Sequence, residues 1–161
     1  MAKELKTNAM RFLDKNKIGY DIQTYQCDEF VDGITVAKKL GQPPEETFKT
    51  LIAKGKTGSY YCFLLPVELE LDLKKAAKSV GEKSVELLPV RDITKVTGYV
   101  RGGCTPIGMK KQFMTVIHNS AAELDMFYIS GGRIGTQIRL SPSELVGAIN
   151  GRFEDIVLQS T

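Results

Sequence analysis

Thr47-Phe48-Lys49-Thr50-Leu51-Ile52-Ala53 and Ser59-Tyr60-Tyr61-Cys62-Phe63-Leu64-Leu65 are two β-rich runs, separated by Gly55-Lys56-Thr57-Gly58. Glycines at both ends of a short polar link, between runs of strand-forming residues, predict a β-hairpin. Ahead of it, Pro43-Pro44 makes a turn, and Asp32 is placed to cap a short helix that runs through Leu40 and stops at Gly41. Earlier still, Tyr20, Ile22 and Thr24 alternate with polar residues as a strand does. Residues 4–16 set Leu5, Ala9, Phe12 and Leu13 at helical spacing, with Asn16 and Gly19 as the stop. After the hairpin, Asp72 caps a third helix with Leu73, Ala76, Ala77 and Val80 on one face, Lys74, Lys75 and Lys78 on the solvated face, and Gly81 at its end.

A strand at Ser84–Leu88 leads to a short helix from Pro89 through Val96. Met114–His118, Met126–Ser130 and Thr136–Leu140 read as strands, the last two joined by Gly131-Gly132-Arg133-Ile134-Gly135. Ser141-Pro142 starts a helix to about Ile149, and Phe153–Leu158 closes the chain as a strand. Strands outnumber helices and interleave with them without a regular βαβ period. The expected fold is therefore α+β, with a mixed, curled, barrel-like β-sheet and surrounding helices. With 42% hydrophobic residues, residues 1–161 are enough for one core and are expected to form a single domain.

The longest apolar run, Tyr60–Leu65, is far short of the ~18 residues of a membrane helix, so the expectation is a soluble, cytoplasmic protein. Cys27, Cys62 and Cys104 are widely spaced and lack CxxC pairing, which speaks against a disulfide framework and a zinc site. No metal and no cofactor is expected. The formal net charge is +3. Basic residues exceed acidic ones by 13 to 11 over residues 1–80 and by 9 to 8 beyond, so there is no basic tail.

Charge is instead concentrated in one loop. Between Ile93 and Ala122 there is no Asp or Glu, while Lys95, Arg101, Lys110 and Lys111 are positive. The segment Thr97-Gly98-Tyr99-Val100-Arg101-Gly102-Gly103-Cys104-Thr105-Pro106-Ile107-Gly108-Met109-Lys110-Lys111 lies inside it. Gly102 and Gly103 lack a Cβ, so the backbone there can approach a ligand, and Thr105-Pro106 stiffens the turn. A phosphate-bearing partner is the natural candidate. The same features also describe a surface turn.

Side-chain catalysis has little footing. His118, the single histidine, sits in an apolar strand, where a structural imidazole is expected. Cys104 has no base partner, although nearby Arg101 could favour a thiolate. Paired carboxylates are missing from the loops. Lys49 reads as a solvated edge-strand lysine, Tyr25 as either a base-stacking residue or a core cap, and Ser130-Gly131-Gly132 as a second glycine turn.

Thr24-Tyr25, Phe48-Lys49-Thr50-Leu51, Leu73 to Ser79, the Thr97–Lys111 pattern and Tyr128-x-Ser130-Gly131-Gly132 together resemble the YbaK/EbsC family in order and spacing, over nearly the whole chain. The resemblance implies a relative of the editing domain of bacterial prolyl-tRNA synthetases, acting in trans to remove cysteine from tRNA(Pro), with Cys-tRNA(Cys) as a further substrate. It implies that Lys49 holds the phosphate of the terminal adenosine and that Tyr25 lines the pocket. The Gly102–Pro106 loop, including Gly103 and Thr105, would bind the aminoacyl ester by its backbone, and Ser130 with Gly131 would complete the site. It also implies a mechanism in which the substrate's own thiol attacks its ester. The partners implied are the CCA end of aminoacyl-tRNA and prolyl-tRNA synthetase, with no membrane. Alternatives are an alanine-specific editing enzyme, a Cys104-dependent hydrolase and a non-catalytic RNA-binding or regulatory module.

Overall fold

The computed structural model describes residues 6–26, 32–149 and 151–159. Leu5 and Cys27, used in the sequence reading, lie outside them. Helices begin where side chains satisfy the otherwise unpaired first-turn amides. Thr7 accepts from the Met10 N–H to start α1 (Asn8–Lys15), so the helix opens four residues later than its apolar spacing suggested. Asp32 accepts from the Thr35 N–H at the head of α2 (Gly33–Leu40), which ends at Gly41 with φ 66°. Asp72 accepts from the amides of Lys74 and Lys75 before α3 (Leu73–Ser79). α4 (Val90–Thr97) follows Pro89, and Ser141 caps α5 (Pro142–Ala148). Leu73 does not join the inner face of α3, being 44% exposed.

The strands are β1 (Asp21–Thr24), β2 (Phe48–Gly55), β3 (Tyr60–Pro66), β4 (Val85–Leu87), β5 (Met114–His118), β6 (Phe127–Arg133), β7 (Thr136–Leu140) and β8 (Gly151–Glu154). Among the described residues they form two sheets, ordered β1-β7-β6 and β4-β2-β3-β5-β8. The first is antiparallel, while the second turns from antiparallel to parallel at β3. The expected barrel does not form. The β6–β7 hairpin takes β1 as its partner, leaving β4 and β8 at opposite ends of the larger sheet, and the sheets meet through a parallel bridge between Thr47 and Tyr128.

Central β3 explains its own sequence. Cys62 and Leu64 face the main core with Leu13, Ile117, Phe127 and Ile138, while Tyr61 and Phe63 face a smaller cluster against Ala76 and Ala77 of α3. A strand covered on both sides reads as an unbroken apolar run. The hairpin turn is held to the end of α3 by the Glu82 carboxylate, which accepts from the Thr57 amide and hydroxyl and from the Tyr61 hydroxyl.

Two further boundaries differ from expectation. β8 stops at Glu154, because the tail leaves β5 and pairs with the segment before α3: Ile156 C=O accepts from Asp72 N–H, and Leu158 N–H donates to Glu70 C=O. The second glycine turn is not a turn. Gly131 to Arg133 belong to β6, with a register shift between Ser130 and Arg133, so Ile134-Gly135 alone link the hairpin. Gly132, at φ 104°, supplies the positive φ for that irregularity.

Candidate active site

The site follows from where β2 has neighbours. β6 bridges it at Thr47, and β4 pairs with it over Ala53–Gly55. The Leu88 N–H donates to Ile52 C=O, and a continued ladder would then set Pro89 opposite Leu51. Proline has no N–H to give, and the chain turns into α4 instead. Among the described residues no strand pairs with Lys49–Leu51 on that flank, and a cavity of about 480 Å³ opens there. Its floor is Phe48–Ile52. Gly33, Ile34 and Val36 of α2 form one wall, and Leu87, Leu88, Val90 and Ile93 of the β4–α4 segment another. Arg101, Gly102 and Cys104 come from the glycine loop, Tyr25 follows β1, and Ser130 and Gln137 come from the smaller sheet.

Lys49, Tyr25, Gly102 and Ser130, distant in sequence, are thus brought together. Lys49 pairs with Leu65 of β3 and has its other flank open to the cavity, yet its side chain is half-buried rather than solvated. Its Nζ donates to Val67 C=O at 3.4 Å, and burial lowers its pKa, opposed in part by Glu70. An anion in the cavity would offset that desolvation of the ammonium. Gly102 adopts φ 86°, in the left-handed region, and Ser130 Oγ accepts from the Gly132 N–H at 3.2 Å.

Gly103, Thr105, Pro106 and Gly131 lie behind the wall and not on it. The Gly103 N–H is committed to Val100 C=O at 2.9 Å, and a Cβ there would stand 2.7 Å from Arg133 Cα. The close approach this glycine permits is therefore to the β6–β7 backbone. Thr105 and Pro106 are buried, with Pro106 C=O accepting from Gln112, and Gly131 C=O accepts from the Thr7 hydroxyl at 2.6 Å. These residues hold the loop against the smaller sheet.

Arg101 does not activate Cys104. Burial pushes the thiol up to about 11, with Sγ 4.0 Å from Thr97 Oγ1, so it is protonated at neutral pH. His118 is outside the cavity, its Nδ1 accepting from the Ile156 N–H at 3.4 Å next to Asp155. Burial lowers its pKa, opposed by Asp155.

Thr50 and Gln137 escaped the sequence reading. Both line the cavity, and Thr50 Oγ1 and Gln137 Oε1 are inaccessible to solvent and have no hydrogen-bond partner. Each such atom costs about 1–3 kcal/mol. Gln137 alternates with Ile138 as a solvent-facing residue would, so periodicity pointed the wrong way. Adjacency to Lys49 was the one available signal for Thr50. Among the described residues no group of three or more His, Cys, Asp or Glu could hold a metal, and no helix is long and apolar enough to cross a membrane.

Fold and cavity together define an aminoacyl-tRNA editing domain: residues 32–148 match that family, and the chain belongs to it. The particular relative it resembles over nearly its full length is an Enterococcus faecalis protein provisionally named Cys-tRNA(Pro)/Cys-tRNA(Cys) deacylase EbsC, with 40% identity over 94% of this chain and 93% of the relative. A proline–tRNA ligase of Fervidobacterium nodosum is 36% identical over 75 residues, 47% of this chain but 13% of the ligase. The fold is that of hypothetical protein APE2540, whose crystal structure superposes with a TM-score of 0.85 at 22% identity, covering 94% of this chain and 99% of that one. A crystal structure described as a candidate trans-editing enzyme for prolyl-tRNA synthetase gives 0.82 at 21% identity, over 97% and 100%.

Proposed function

We propose that this chain is a trans-acting deacylase that removes cysteine from tRNA(Pro), and from tRNA(Cys), with the substrate's own thiol as nucleophile. The observation that carries the mechanism is the set of titratable side chains lining the cavity: Tyr25, Asp32, Lys49, Arg101 and Cys104. Asp32 is committed to capping α2, and Cys104 is held as the thiol. No nucleophile–base pair results, whereas a cysteinyl ester brings a sulfur to its own carbonyl.

In this reading the cysteinyl sulfur bonds to the ester carbon and the bond to the ribose oxygen breaks. The thiol proton passes to that oxygen, leaving a cyclic thiolactone and uncharged tRNA. Lys49 holds a phosphate at the floor, and the Gly102 backbone faces the developing oxyanion. Gly103, whose amide is occupied, supports the loop. Tyr25 and Ser130 bound the aminoacyl group. The 40% identity to the Enterococcus faecalis protein supports the substrate choice. Prolyl-tRNA synthetase, as the source of mischarged tRNA(Pro), is the protein partner this reading implies.

The test is single-turnover deacylation of Cys- and Ser-charged tRNA(Pro), with mass analysis of the first product. Cysteine should be released far faster, as thiolactone, because a serine hydroxyl is far less acidic than a thiol. Equal rates with free amino acid as the first product would assign the attack to water.

A further inference from the structure

Three large aliphatic side chains stand half-open at the mouth of the cavity: Ile34 of α2, Leu87 of β4 and Val90 of α4, at 38%, 48% and 53% exposure. They come from three separate elements yet border one opening. Ile93, one turn beyond Val90 on the same face of α4, continues this apolar surface inward. Their exposure is a cost to a free surface, of the kind that marks a binding edge when several such residues converge. The glycine-loop side of the same mouth is different. Arg101 lines it, and it belongs to the stretch from Ile93 to Ala122 that has four basic and no acidic residues.

An apolar ledge on the same opening as a basic loop fits an aromatic ring linked to phosphate. We infer that Ile34, Leu87 and Val90 form a seat for the nucleobase of the terminal nucleotide at the mouth of the cavity whose interior takes the aminoacyl group. This rests on the editing reading for the identity of the whole substrate, but the seat itself makes a claim about nucleotides that can be measured separately. Burial of the base against aliphatic carbons stabilises the complex without reading its hydrogen-bonding edge. The seat therefore holds the 3′ end in place and leaves recognition of the tRNA body to other surfaces.

The experiment compares adenosine 5′-monophosphate with ribose 5-phosphate, first by equilibrium binding and then as inhibitors of Cys-tRNA(Pro) deacylation. Adenosine monophosphate should bind and compete at least tenfold more tightly than the base-free sugar phosphate. In the double variant Leu87→Ser, Val90→Ser, its binding should weaken about tenfold, while that of ribose 5-phosphate stays as in wild type and KM for the charged tRNA rises with little change in kcat. Both positions are half-exposed, and a melting curve checks that the variant is folded. Equal binding of the two probes by the wild type, or unaltered adenosine monophosphate binding in the folded variant, would overturn the seat. A variant defective only when prolyl-tRNA synthetase is present would also overturn it, by assigning the ledge to a protein partner. A wild type that binds adenosine monophosphate through this ledge but deacylates no tRNA would sink the editing reading and leave the seat standing.

Discussion

Replacing Thr50 by valine should make the protein more stable and less active. The two side chains are nearly isosteric and both β-branched, so strand geometry and packing are kept. What changes is a hydroxyl that is shut off from solvent and has no partner. Such a group costs about 1–3 kcal/mol. Taking the low end, because the hydroxyl can rotate toward weak acceptors, the gain is about 1 kcal/mol. In a domain of this size that raises Tm by about 2–4 °C. If the hydroxyl turns to the ligand when the site is filled, its loss removes one hydrogen bond of about 0.5–1.5 kcal/mol, and kcat/KM falls about 2- to 13-fold. Thermal melting by circular dichroism and deacylation of Cys-tRNA(Pro) below KM measure the two effects. A lower Tm would mean that the hydroxyl is already satisfied in the free protein. A higher Tm with unchanged kcat/KM would mean that it is merely frustrated and has no part in the site.

Gly103→Ala should lose about 3 kcal/mol, or about 6–12 °C in Tm, because its Cβ meets backbone that cannot rotate away. Cys104→Ser should stay within about threefold of wild-type kcat/KM, as expected for a protonated thiol that does no chemistry; abolished turnover in folded Cys104→Ser protein would restore thiol catalysis. His118 has a lowered folded-state pKa, so protonation favours the unfolded chain. Its contribution is complete above the unfolded value of about 6.5 and is lost as pH falls from there through the folded pKa. Urea midpoints at pH 7.5 and 5.5 should differ less in His118→Gln than in wild type, and an equal difference in both would remove His118 as the cause.

Local chemistry made much of the fold legible. Asp32, Asp72 and Ser141 cap helices where their residue types said they would, and β5 and β7 have the limits that alternation gave. What failed depended on distant partners. Barrel closure hinges on which strand accepts the β6–β7 hairpin, and nothing near residues 127–140 encodes the choice of β1. The same holds within the site. Lys49 reads as a solvated edge residue because what half-buries its side chain, the cavity walls from α2 and the β4–α4 segment, lies far away in sequence, and Gly103 reads as ligand-facing because Arg133 is invisible from the loop itself.

The gap along β2 also sets how the site can vary in size. From the bridge at Thr47 to the last bond at Ile52 the uncovered stretch is about four residues, or about 13 Å of strand. Moving either neighbour by one residue would turn its side chains to the opposite face, so the opening can lengthen or shorten only in two-residue steps of about 6.6 Å. A change that coarse is far larger than the difference between cysteine, serine and alanine, which is a single atom. Selectivity among aminoacyl groups therefore has to be adjusted by exchanging lining side chains such as Ile52, Ile93 and Gln137, with the strand framework left as it is.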